Sequence, residues 1–401
     1  MILTTPFHSR LEPLNRTGLW SHWEGYLVAE KYQMAEKTEY FAIRNSAGVF
    51  DTSPLYKYRI WGRDAEQFLA GVLTRDPRPC PPGHAQYTIW CDDTGHVLED
   101  GVVFRLSETE FMLTTARPNM GYLSDLAGRK AVTVEDVSTA FGALAVQGPR
   151  SRALVSTLFD GVGDLSYFDL MTAHLNGSEV IVSRTGFTGD LGFEIWVDAE
   201  AAGGLWDSLW ERAAGWGVVP VGQVALLMAR IEAGLLLIDV DFGSARLAWT
   251  ENQRSTPYEL GLGWMVNGLD RSFIGRRALR RHLGEETARW AFRGLIVDPH
   301  QWAQRHDRAG LVPPKDHLPH HGDLMIYDDE GKRAGWASSF MYSPMLQRHI
   351  ALARVRPSLA GSGSQVRLEV TIDHDYDTVP ALVAPLPLYD PARRTSRGTD
   401  Q

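Results

Sequence analysis

Apolar and polar positions along the chain sort into short strands and helices, with no heptad and no repeated unit. In LVAEKYQMAEKTEYFAIRNSAGVF, charges alternate with apolar positions at helical spacing until Gly48, which predicts a helix feeding a strand. LYKYRIWG, residues 55–62, reads as a strand, and RDAEQFLAGVLT after it has a helical period opened by acids that favour the positive end of the helix dipole. QYTIWC and VLEDGVVFRL are separated by DDTG, which carries the Asp and Gly of a hairpin turn. A strand EFMLTTA, a helix RPNMGYLSDLAGR, and a strand FGALAVQ closed by Gly148-Pro149 before another helix come next. The order then recurs as SEVIVSR, a glycine-rich turn, GFEIWV and the helix AAGGLWDSLWERAAGW. Strand pairs and helices in this sequence predict an α+β body with antiparallel sheets.

The pattern breaks at RRHLGEETARWAFRGLIVDPHQWAQRHDRAGLVPPKDHLPHHG, which is charged, contains proline and has little periodicity. A domain boundary at its start and a long loop from Asp298 to Gly322 are expected. The pieces beyond it, RGLIV, LMIYDDEGKRAGWASSF, HIALARVR and QVRLEVTI, predict a small β-barrel or sandwich. The chain thus reads as two interleaved α+β lobes over 1–285, a C-terminal barrel domain over 286–395, and a flexible polar tail over 396–401.

Length and composition narrow the function. At 401 residues the chain exceeds one ordinary core, and 44% hydrophobic against 22% charged residues describe a globular protein. A formal charge of -9 gives no electrostatic footprint for nucleic acid, so a small-molecule partner is expected. Cys80 and Cys91 belong to no CxxC pair, which argues against a disulfide framework or thiolate metal site and for a reducing cytoplasm. Neither a signal segment nor a membrane span is read in the sequence. The sequence does not indicate an oligomeric state.

Familiar motifs lead away from several chemistries. No GxxxxGK[ST] is present, and GFTGDLG has the wrong spacing for a dinucleotide fingerprint and runs into a strand. His317, His320 and His321 cluster around Pro319 and read as a solvated loop, with no metal site expected. DHDYD lacks the Gly and Glu of a calcium loop, and no GxSxG marks a nucleophile. One acid stands out. In SRTGFTGDLGFEIWV, Glu194 sits between Phe193 and Ile195 on a strand that should go inside. From the residues alone it is an exposed strand position, a partner for an arginine, or a ligand contact.

Seven segments in order, AIRNSAGVFDTSPLYKYRIWGRDAEQFLAGVLTRD, GHAQYTIWCDDTGHVLEDGVV, LAVQGPRS, SRTGFTGDLGFEIWVD, ARIEAG, TPYELGLGWMV and FIGRRAL, resemble the folate-binding aminomethyltransferases typified by the glycine cleavage T-protein. The likeness runs from about Glu39 to the last strands. It implies a three-lobed ring whose central channel holds tetrahydrofolate. Glu194 matches the family's pterin-binding glutamate, since a carboxylate accepts two hydrogen bonds from the pterin edge in a planar fork. Asp100 matches the acid beside the reactive pterin nitrogen and is the expected catalytic residue, with Glu99 beside it. Tyr87 matches a tyrosine lining the pterin site, Arg230 an arginine at the glutamate tail or substrate, and Trp264 and Tyr389 further cofactor contacts. For Arg230 the alternative is an ion pair with Glu232 or Glu259.

The chain departs from the pattern where many T-proteins carry His-Met, here Pro54-Leu55. With Tyr56 and Tyr58, Leu55 is expected to line the substrate wall, and the change points to a free small molecule instead of a carrier-bound arm. The expected activity is tetrahydrofolate-dependent one-carbon transfer that demethylates a small O-, S- or N-methylated compound to methyltetrahydrofolate. For an ether donor, Tyr56 or Tyr58 would supply a proton. Aminomethyl transfer forming methylenetetrahydrofolate is the first alternative. A non-catalytic folate-binding regulator is the second, although KGCYxGQE, typical of such relatives, is missing.

Overall fold

The computed structural model describes residues 2–266 and 269–396 and divides the chain into two compact units. One comprises Met1–Ile89, Glu99–Ala229 and Asp390–Gln401, and the other Trp90–Leu98 and Arg230–Tyr389. Of the tail expected over 396–401, residues 397–401 lie outside the described part. Ser396 is described, and its carbonyl accepts from Arg184 Nη2 at 2.7 Å.

The first unit is built on two large sheets. In the six-stranded sheet the order is Leu170–Leu175, Ser178–Ser183, Gly192–Asp198, Phe141–Gln147, Ala47–Asp51 and Val218–Pro220, antiparallel except for the last pair. The five-stranded sheet runs His84–Cys91, Val97–Arg105, Glu110–Thr115, Tyr56–Trp61 and Thr133–Asp136. DDTG forms the expected turn, with Asp92 accepting from the backbone N–H groups of Thr94 and His96.

Side chains alternate across a strand, and Gly192–Asp198 is covered on both sides. Phe193, Ile195 and Val197 join a core with Leu205, Trp206 and Leu209 of the helix Ala202–Arg212. Trp196, on the opposite side, packs among Phe104, Met112, Ala143 and Leu170, which ties the two sheets face to face. Its ring meets Phe104 edge-on, with centroids 5.7 Å apart, an arrangement that adds about 0.5–1.5 kcal/mol beyond area burial. Glu194 shares this inter-sheet face.

The glycines before Glu194 make room for one side chain. A Cβ on Gly186 would lie 2.1 Å from Gln147 Oε1, and one on Gly192 would lie 2.2 Å from Gln147 Nε2. Threaded between them, the Gln147 amide donates to Thr185 O at 3.1 Å and accepts from Thr188 Oγ1 at 2.8 Å. The turn is therefore locked onto the neighbouring strand just ahead of the acid.

Three sequence expectations need correction. The long helix expected before Gly48 is confined to Glu36–Asn45, because Tyr26–Ala29 pairs as a strand with Trp20–Trp23. The long loop from Asp298 to Gly322 contains the helix Pro299–Arg308. Asp298 caps it by accepting from the N–H groups of His300 and Gln301, Pro299 presets the first turn, and Trp302 anchors it in the barrel core. His320 and His321 are not loop residues either, since they open the strand His320–Tyr327.

The second unit contains a closed barrel of six strands in the order Ala291–Val297, Arg348–Val355, Arg333–Ser343, His320–Tyr327, Gln365–Ile372 and Asp375–Ala384. Closure leaves no unpaired sheet edge, and the interior is filled by side chains such as Leu295, Ile326, Val366 and Val379. The α+β class with antiparallel sheets and a C-terminal barrel is thus what the chain adopts.

Candidate functional site

Where the inter-sheet packing around Trp196 gives way to polar side chains, the first unit gathers most of the expected residues. Glu194 is half-buried on the central strand Gly192–Asp198. One carboxylate oxygen accepts from the Thr185 hydroxyl, itself 2.7 Å from Ser183 Oγ. Among the described residues no donor meets the other oxygen. Burial pushes the Glu194 carboxyl above the ordinary range, against the downward pull of the Thr185 hydroxyl and the Lys57 charge.

On the facing sheet, Tyr87 Oη donates to Asp100 Oδ2 at 2.7 Å. Tyr87 shares a strand face with Ala85, and Asp100 with Val102 and Phe104, so both belong to the surface packed on Trp196. Both are half-buried, able to meet a ligand while held by the sheet.

Tyr56 and Tyr58 stack with ring centroids 6.4 Å apart, but their surroundings differ. Tyr58 is fully buried, its oxygen accepts from the Asn119 backbone N–H at 2.7 Å, and burial pushes its phenol up to about 12. The expectation that Tyr58 lines the substrate wall or donates a proton is corrected: it is a core residue. Tyr56 is half-buried, as is Leu55. Burial, with the Glu24 carboxylate as the next cause, raises the Tyr56 phenol.

In the second unit Arg230 is fully buried and spent internally. Its Nη1 donates to Asp241 Oδ2 at 2.6 Å and its Nη2 to Ser339 Oγ at 2.8 Å. Asp241 is also held by the hydroxyl of Ser338 and the backbone N–H of Leu237. Both terminal nitrogens are thus engaged within the second unit, while the buried Nε meets no hydrogen-bond partner among the described residues. Its partner is neither Glu232, which accepts from Ser343 Oγ, nor Glu259, which pairs with Arg289. Trp264, on a short turn, is 58% exposed, and Tyr389 is half-buried with its backbone N–H on Glu232 O.

Sequence reasoning passed over Thr185, which anchors Glu194, and Lys57. Lys57 is fully buried, and its Nζ donates to the carbonyls of Ser53 and Leu55 at 2.7 Å each. A lysine between two tyrosines in a strand reads as a solvent-facing position. Nothing local shows that both faces of this strand are covered.

Comparison with known proteins agrees with this architecture. Residues 13–268 match the GCVT N-terminal domain, and residues 307–390 match the glycine cleavage T-protein C-terminal barrel domain. The chain is 30% identical over 380 residues to the heme-dependent oxidative N-demethylase gamma subunit of Ectopseudomonas mendocina, covering 94% of each. It is 28% identical over 357 residues to an aminomethyltransferase of Pseudothermotoga lettingae, covering 88% of this chain and 89% of that one. The crystal structure of the glycine cleavage system aminomethyltransferase T from Bartonella henselae superposes with a TM-score of 0.81 at 23% identity, covering 97% of this chain and 99% of that one, so the fold is shared. With both domains matched and the fold in common, the chain belongs to the glycine cleavage T-protein family of folate-dependent transferases.

Proposed function

We propose that the protein is a tetrahydrofolate-dependent one-carbon transferase that takes the methyl carbon of a small N-methylated compound. The observation that carries this reading is the Glu194 carboxylate, half-buried, anchored through one oxygen and open at the other. The site fits a reduced pterin in its donor set: a carboxylate accepts the paired N–H donors of the heterocycle's edge, and Tyr87 offers an aromatic face and a phenol beside Asp100. When bound, tetrahydrofolate supplies the nucleophilic nitrogen that accepts the one-carbon unit.

The residues of this chain do the rest. Glu194 holds and orients the heterocycle. Asp100, steadied by Tyr87, carries a negative charge on the wall where positive charge develops. The apolar packing of Trp196 and Phe104 keeps water from one end of the site, which strengthens both electrostatic contacts. Residues 1–285 carry these groups, and residues 286–395 form the barrel domain. Trp264 and Tyr389 are further candidate contacts, and Leu55 and Tyr56 are candidates for the donor's wall.

The N-methyl donor is favoured by the name of the N-demethylase relative and by Pro54-Leu55 in place of His-Met. A quaternary N-methyl donor would leave as a neutral amine, its nitrogen taking the pair of the broken C–N bond, and so would need no acid such as the buried Tyr58. Aminomethyl transfer is the second reading, favoured by the relatives named aminomethyltransferase. Cys80 and Cys91 are buried and are not joined in a disulfide, which accords with a cytoplasmic setting.

The test is to mix the protein with tetrahydrofolate and carbon-13-labelled N-, S- and O-methyl donors, and to follow the folate by mass spectrometry. Label appearing in the folate from an N-methyl donor supports the proposal. Methylene transfer from an aminomethyl donor alone supports the second reading. No labelled folate from any donor leaves a binding protein without turnover and contradicts both.

A further inference from the structure

Lys57 is an ion in a place where an ion is costly. Its side chain leaves the strand Tyr56–Trp61 into the space between the two sheets, and its Nζ is held 5.5 Å from the centroid of the Trp196 ring. Glu194 stands two residues before Trp196 on the same strand face. Three acids face the ammonium: Asp51 from the strand Ala47–Asp51, Asp136 from the strand Thr133–Asp136, and Glu194 from Gly192–Asp198. Asp51 is already engaged by the Thr5 hydroxyl and the Ser53 N–H, and the Asp136 carboxylate by Ser138. Facing Glu194 are the Lys57 ammonium and the Thr185 hydroxyl.

A desolvated carboxylate tends to take up a proton, and a desolvated ammonium tends to lose one, unless each has the other nearby. We propose that Lys57 is a positioning residue for folate: its ammonium is the counter-charge that keeps Glu194 an anion between the sheets, and so sets the pH range over which the pterin is held. The proposal rests on the folate reading above and assigns a residue that touches Glu194 only through the field. The backbone geometry explains why a lysine serves. Two of its three N–H groups are fixed on the Ser53 and Leu55 carbonyls, so the charge is held by the strand and does not depend on the ligand. The electrostatics run the same way: burial lifts Glu194 and pulls Lys57 down to about 8, and the charge of each opposes the shift of the other.

The experiment measures tetrahydrofolate affinity against pH for the wild type, Lys57→Met and Lys57→Arg. Affinity is expected to fall on the acid side as Glu194 takes up a proton. In Lys57→Met that limb should move up by about one pH unit, which is about tenfold weaker binding on the limb. Lys57→Arg should restore it. Coincident limbs in wild type and Lys57→Met would overturn the proposal while leaving the folate reading intact. Absence of binding by the wild type at every pH would sink the folate reading and the proposal with it. A reciprocal measurement does not depend on Lys57→Met folding: in protein labelled with carbon-13 at the lysine ε position, Glu194→Gln should lower the titration midpoint of Lys57. An unmoved midpoint would equally overturn the coupling.

Discussion

Tyr87 Oη donates to Asp100 Oδ2 at 2.7 Å between neighbouring strands of the five-stranded sheet. This bond holds one oxygen of the acid proposed to act at the reacting nitrogen. Asp100→Asn keeps the shape and the acceptor for Tyr87 but removes the charge. Turnover should fall by about 10²-fold or more, the scale of losing one preorganised electrostatic contact. Folate affinity should stay within about threefold. Parallel steady-state kinetics and equilibrium binding check the split.

Tyr87→Phe should act in the same direction more weakly, because the charge stays and only its restraint is lost. A five- to tenfold drop in kcat, about 1 kcal/mol for one hydrogen bond, is expected from rate measurements on the purified variant.

Glu194 ties function to a stability cost. Its carboxyl is raised by burial, so the folded protein binds that proton more tightly than the unfolded chain, and ionisation near neutral pH destabilises the fold. Glu194→Gln, which resembles the protonated form, should therefore raise the melting temperature of the ligand-free protein at pH 7. The sign gives a second check. The difference between variant and wild type is full above the raised pKa of the folded state, shrinks as pH falls through it, and vanishes below the ordinary carboxylate value. Thermal scans across that range test it.

The Arg230–Asp241 pair is buried on both sides, and each ion is the other's main compensation. Asp241→Ala should destabilise the protein by about 3–5 kcal/mol, because it strands an arginine in the interior. Chemical denaturation reads the loss directly. Little recovery is expected from excess folate, since both terminal nitrogens of this arginine are engaged within the second unit.

Gly192 should tolerate no side chain while Gln147 keeps its place. Gly192→Ala drives a methyl into the trapped amide and should cost about 1–3 kcal/mol. Adding Gln147→Ser should recover part of it, a non-additivity that a double-mutant cycle measures.

What the sequence revealed and what it hid have the same physical origin. The DDTG turn, the strand around Glu194 and the short strands of the C-terminal domain were legible because alternation, turn chemistry and spacing are local signals, whereas closure into a barrel instead of a sandwich depends on pairing between distant strands. Glu194 itself was conspicuous, an acid in a strand with Phe193 and Ile195 on one face and Trp196 on the other. The helix Pro299–Arg308 was missed because its few apolar positions are sparse, and only Trp302 and His306, four residues apart, are buried. The partner of Arg230 could not be read because Asp241 reaches it through a loop fold, while Glu232 and Glu259 looked equally near. Lys57 was hidden for a further reason. Its meaning depends on the strand Gly192–Asp198 of the second sheet, which carries Trp196 and Glu194 and which no window around the strand 56–61 contains.

The most direct test is calorimetric titration of the apo-protein and of Glu194→Gln with tetrahydrofolate at neutral pH. The account predicts a saturable, one-site isotherm for the wild type, weakened at least about 10²-fold in a variant that remains folded and melts no lower, as expected when a charged hydrogen-bond acceptor is lost from a ligand's edge. Equal affinity in the two proteins would contradict it, because the acid on the central strand would then play no part in holding the cofactor.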